Sequence, residues 1–150
     1  MQAQILGPAA VLVLWTLIVL FWIIPLRFGA IAKIEKSKFS GKAGGRGQDL
    51  EGVIPDKANW PSHNHTHLLE QPTLFYATVV ILAIAGAGAL DVMLAWAYVG
   101  IRIMHSLWQI LVNKLPVRFT LFLASTAVLI ILAIRAIVAT VFADPSVVAA

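Results

Sequence analysis

The 150-residue chain contains no cysteine, which excludes disulfides, thiolate nucleophiles, thiolate metal ligands and iron–sulfur clusters together. Any thiol chemistry must use a thiol carried by a substrate. Charge is also scarce. Asp, Glu, Lys and Arg make up 12% of the residues, against about 25% in soluble domains. Eleven basic residues against seven acidic ones leave a formal +4, but they form no stripe interleaved with aromatics. Nucleic acid is therefore not an expected partner, and the excess charge is better read as a record of membrane topology. No repeat or heptad pattern is evident. What fills the chain instead is apolar: 60% of its residues are hydrophobic, which marks an integral protein of the lipid bilayer.

Four segments, at about 5–28, 73–90, 92–112 and 119–142, are each near the roughly 20 residues that a helix needs to cross about 30 Å of hydrocarbon. The expected fold is all-α: a single four-span membrane domain over 1–150. Between Leu74 and Val112 the strongly polar residues are only Asp91, Arg102, His105 and Gln109. One straight helix of that length would run about 60 Å, so the chain must fold back. Gly86 and Gly88 permit the turn, and Asp91 can cap the helix that follows. The first segment lacks the basic start and small-residue cleavage site of a secretory signal, so it reads as a retained span.

The connection at 31–69 carries Lys33, Lys36, Lys38, Lys42, Arg46 and Lys57, and the link before the last span carries Lys114 and Arg118. Both fall on one side, expected to be cytoplasmic by the positive-inside rule, with both termini outside; a bacterial inner membrane suits this reading. The other side has Asp91, Asp144 and Arg135, the last expected to snorkel to the interface. The glycine cluster from Ser40 to Gly47 is flexible, but Lys42 precedes the glycines and Ala43 follows it, unlike a phosphate-cradling Gly-Lys-Ser/Thr motif. Trp60 and Pro61 mark the return of the chain to the headgroup level.

The most informative residues are Arg102 and His105, near the middle of an otherwise apolar span. A charge at a helix centre costs roughly 3 kcal/mol or more, so it persists facing a partner, a cavity or a ligand. Arg102, His105, Gln109 and Asn113 share one helical face, which should look toward protein; a polar network that merely fixes bundle register is the plainer reading. Glu70, at the entry of the second span, could pair with Arg102, bind a cationic group or serve the helix dipole. His63, His65 and His67 could ligate a metal if extended; as a solvated interfacial run they need none.

These residues carry a resemblance. Arg102-Ile-Met-His105, Pro116-Val-Arg118 opening the last span, and Glu70-Gln-Pro72-Thr-Leu-Phe75 opening the second resemble the membrane-associated proteins in eicosanoid and glutathione metabolism, the MAPEG family of microsomal glutathione transferases and prostaglandin E synthase. The likeness runs from Trp60 to about Arg135. It implies a four-helix bundle assembled as a homotrimer, with glutathione as co-substrate between subunits near the cytoplasmic side. By the same resemblance Arg118 holds the glutathione thiolate, Arg102 and His105 lie near its carboxylates, and Glu70 takes its amino group. Arg27 or Lys33 supplies a basic residue at the end of the first helix. A guanidinium stays charged and can lower the pKa of a neighbouring thiol, ordinarily about 8.5.

The chain departs from the family pattern at several points. His67 stands where the family has an asparagine three residues before the glutamate, His63 where it has an arginine, and Gln109 and Phe122 where better-studied members have tyrosines. Two functions are expected. One is a glutathione transferase or peroxidase taking a lipophilic small-molecule substrate from the bilayer. The other is a non-catalytic structural trimer or accessory subunit of a membrane complex. A carrier is disfavoured by the absence of an inverted repeat.

Overall fold

The computed structural model describes residues 2–34 and 44–143. Lys36, Lys38, Lys42 and Asp144, and the glycine cluster as far as residue 43, lie outside the described residues. Four long helices follow one another: α1 (Gln2–Ile31), α2 (Asp56–Ala85), α3 (Ala89–Leu111) and α4 (Leu115–Val141). A short 3₁₀ turn, Gly47–Leu50, precedes α2. All four helices are long and apolar enough to cross a membrane, and they form a four-helix membrane bundle.

Each helix gives a narrow stripe to the core and its remaining surface to the outside. On α1, Ile5, Leu12 and Val19 recur every seventh position and are fully buried. Phe21 and Phe28, also on α1, are largely exposed. In lipid an exposed apolar side chain carries no penalty, so the outer face needs no polar residues and the helix shows little amphipathic contrast. Leu68, Phe75, Val79 and Leu82 line the α2 stripe, and Phe75 stacks on Tyr98 of α3 with ring centroids 4.3 Å apart. α1 packs mainly on α2, and α4 mainly on α3.

The helix ends follow local chemistry. Gly86 ends α2 with φ 99°, a left-handed conformation that suits glycine. Two residues later Gly88 caps the start of α3, and its backbone N–H donates to the Asp91 carboxylate over 2.8 Å. The hairpin is as short as expected, with Asp91 acting from the first turn of α3 and Gly88 in the capping position itself. Asn113, at φ 55°, closes α3, and its backbone N–H donates to the Trp108 carbonyl over 2.7 Å. Pro116 falls in the first turn of α4, where its missing N–H costs no helical bond.

Two expectations change. α2 begins at Asp56, so residues 56–69 of the expected connection are helical, and His63, His65 and His67 sit on a helix. Its 30 residues span about 45 Å, roughly 15 Å more than the hydrocarbon core. The polar first turns therefore project beyond the lipid, which is why hydropathy alone did not include them. Arg135 does more than snorkel: its guanidinium makes an ion pair with Asp91 across the α3–α4 contact.

Candidate ligand cleft

Because successive helices alternate in direction, the end of α1, the start of α2, the end of α3 and the start of α4 meet at one end of the bundle. The described basic residues other than Arg135 gather toward this end. Counting back about 20 residues from Ala85 places the hydrocarbon boundary of α2 near Thr66, so His67 and Glu70 enter the membrane here. An open cleft of about 190 Å³ lies at this depth, lined by His67, His105, Leu115, Arg118, Phe119 and Phe122.

Three helices supply its polar groups. From α4, Arg118 reaches the cleft while one guanidinium nitrogen donates to Asn113 Oδ1 over 2.7 Å. The left-handed turn at Asn113 thus fixes both the end of α3 and the aim of this arginine. From α3, His105 lies 3% exposed, its ring 6.5 Å from the rings of both His67 and Phe122. From α2, the His67 ring nitrogen Nδ1 is 3.1 Å from Glu70 Oε2.

Arg102 stands behind these groups at 1% exposure. Its Nη2 donates to the backbone carbonyl of His67 over 3.0 Å. The break that Pro72 makes in the helix ladder falls on the next carbonyl, that of Leu68. The expected pairing of Glu70 with Arg102 is not the arrangement found: Glu70 is on His67, and Arg102 reaches the same residue through its backbone. Arg102 Nε and Nη1 and His105 Nδ1 are buried with no hydrogen-bond partner. A buried polar group left unpaired costs about 1–3 kcal/mol, so three in one place mark a spot suited to a polar or anionic ligand.

The polar stripe on α3 divides. His105 lines the cleft with Arg102 behind it, whereas Gln109, farther along the same face, accepts from Asn64 Nδ2 of α2 over 3.0 Å. Asn64 Oδ1 in turn accepts from Ser106, whose hydroxyl also accepts from the indole N–H of Trp15 over 2.9 Å. This network joins α1, α2 and α3, and Asn64, Ser106 and Gln109 are all 1% exposed or less. Arg27 stands apart from the cleft: it donates to the Gly47 carbonyl over 3.0 Å and to Asn59 Oδ1 over 3.1 Å. A Cβ on Gly47 would meet this guanidinium at 2.6 Å, so a larger residue there would displace the mobile end of Arg27. Lys33 is exposed in the turn after α1. His63 bonds to Glu51 over 3.0 Å, outside the cleft, and His65 falls on another face of α2.

Sequence reading missed Asn64, Ser106 and Trp15, and a second cluster in which Gln71 donates to Thr126 over 2.7 Å while Tyr98 and Ser125 donate to Gln71. A signal for Gln71 existed. With Asn64, Phe75 and Thr78 it falls on a helical spacing that becomes visible once α2 is extended back to Asp56.

Neither the curated proteins nor the solved structures gave a match to the chain. A protein-family model matches it over residues 5–138, nearly its full length and all four helices. The chain belongs to the MAPEG family.

Proposed function

We propose that this protein binds glutathione at the cleft and uses Arg118 to hold its thiol as a thiolate for attack on a lipophilic electrophile. Family membership supports the coarser statement, a membrane protein of glutathione or eicosanoid metabolism. The observation that carries the finer reading is that Arg118 shares one cleft with His105, whose buried Nδ1 is unpartnered, and that Arg102, one turn away on α3, has two more such nitrogens. Glutathione has two carboxylates and a thiol, so it offers a carboxylate for the buried pair and the nascent thiolate for the half-buried guanidinium of Arg118. Phe119, Phe122 and Leu115 make the remaining wall apolar, as a substrate arriving sideways from the bilayer requires.

The cleft is open, which favours a site completed by a second copy in a homotrimer. With the basic end in the cytoplasm, soluble glutathione has direct access. Phe122 favours a second reading. It lines the cleft with no hydroxyl, so it can neither donate to a thiolate nor move a proton, as suits a non-catalytic structural or accessory subunit that retains a ligand site.

Thermal unfolding in detergent tests the proposal. Glutathione at about 100 times its dissociation constant should stabilise the folded protein by about 2.7 kcal/mol, and Arg118→Ala should lose most of that shift. Equal stability with and without saturating glutathione would refute binding. Binding without turnover of a chlorodinitrobenzene-type electrophile above the free-thiol rate would select the second reading.

A further inference from the structure

We propose that His67 and Glu70 act as a proton-accepting dyad for the thiol, an inference that rests on the glutathione-binding reading above. One turn of α2 brings the two side chains together, Nδ1 of His67 lying 3.1 Å from Oε2 of Glu70. In that arrangement Nδ1 carries the hydrogen donated to the carboxylate, and Nε2 is the ring nitrogen with its lone pair free. His67 lines the cleft together with Arg118, so the base and the thiolate-stabilising cation border the same space. The backbone of His67 is also fixed, since Arg102 holds its carbonyl. A carboxylate that orients an imidazole beside a nucleophile is the general arrangement for activating a weak acid.

The other cleft histidine does not fit this role. His105 is buried between Arg102, one turn away on α3, and Arg118 from α4, and no carboxylate bonds to it among the described residues. A proton added there would meet two guanidiniums. A proton added to His67 meets Glu70, and the side chain is 44% exposed at the membrane boundary. The charged and titratable groups facing His67 are thus Glu70 on its own helix, Arg102 and His105 from α3, and Arg118 from α4.

The step balances without a further reactant. The S–H bond breaks, its proton goes to His67 Nε2, and the electron pair stays on sulfur as a thiolate beside Arg118. Attack on the carbon of an electrophile R–X forms the S–C bond and expels X as an anion. The imidazolium then releases its proton to water at the cleft mouth. His67 is the group that touches the thiol, and Glu70 is a positioning residue.

The test uses the whole purified protein with glutathione and a chlorodinitrobenzene-type electrophile. Ultraviolet thiolate absorbance and kcat are followed against pH, and glutathione affinity is followed by thermal shift. His67→Gln should lower kcat at neutral pH by about 10²-fold, with a change in affinity below about threefold and a deficit that shrinks as pH rises. Imidazole added to His67→Ala should restore part of the rate. Glu70→Gln should lower kcat while leaving glutathione affinity within about threefold, because the amide no longer fixes which ring nitrogen of His67 carries the hydrogen. Both side chains are substantially exposed, so neither substitution disturbs the core. If wild type gains stability from glutathione and turns over the electrophile, yet His67→Gln leaves thiolate formation and the kcat profile unchanged, the dyad is refuted and the binding proposal stands. If glutathione does not stabilise wild type at all, the binding proposal fails and the dyad fails with it.

Discussion

At the residue scale, the same burial has opposite consequences for two neighbouring groups. Asn64 is fully buried and fully engaged, bonding Gln109 and Ser106. Asn64→Ala strands both partners, and we expect a loss of about 2–3 kcal/mol in thermal or denaturant unfolding with or without glutathione. Arg102 is equally buried but has two unpartnered nitrogens. Arg102→Met should leave the unliganded protein as stable as wild type or more so, by on the order of 1 kcal/mol, while abolishing stabilisation by glutathione. An unliganded variant that unfolds much earlier than wild type would show that the guanidinium serves the fold and not a ligand. Arg102 and His105 were legible in the sequence because polar groups amid a long apolar run have a physical cost that demands a reason. Asn64 was not, because its partners lie 42 and 45 positions away and its neighbours His63 and His65 make the segment look solvated.

At the element scale, the α2–α3 turn is where local chemistry alone determined the structure. Gly86 adopts φ 99°, and its Cβ position has open space around it. Gly86→Ala should therefore cost only the backbone term, about 1–2 kcal/mol, without repacking. Asp91 holds the start of α3 and also Arg135, so Asp91→Ala should cost more than loss of a cap, about 2 kcal/mol or above, and Asp91→Asn should recover the cap without the ion pair. Equal losses in the Ala and Asn variants would assign the whole effect to Arg135. The turn could be read from two glycines and an aspartate because it involves only its own neighbours. The extent of α2 could not: Asn59, Asn64 and three histidines within Asp56–Ala85 lower its hydropathy, and the polar segment is helical because it packs on α1 and meets the 3₁₀ turn. The α3 stripe divided along the helix axis and not around it: Gln109, two turns beyond Arg102 on the same face, meets Asn64 of α2, whereas His105 lines the cleft.

At the scale of the whole molecule, large apolar side chains cover much of the outside of the bundle. Lipid and a neighbouring copy place nearly the same demand on such a surface, so the sequence revealed the span count and the bundle but not which faces meet a partner. If the proposed homotrimer completes the cleft, detergents that leave a single chain by light scattering should remove the glutathione-dependent rise in unfolding temperature, and trimer-preserving detergents should keep it. A monomer with undiminished stabilisation would place the complete site within one chain. The Asp91–Arg135 pair has a further consequence, for biogenesis. If the basic end lies in the cytoplasm, as the positive-inside rule predicts, Arg135 is a positive side chain that has to be carried across the bilayer as α4 enters. Asp91 precedes it in synthesis and arrives with the α2–α3 hairpin. In that orientation the hairpin supplies the counter-ion before the cation needs it, so Asp91→Ala is expected to impair insertion of the last helix as well as its packing.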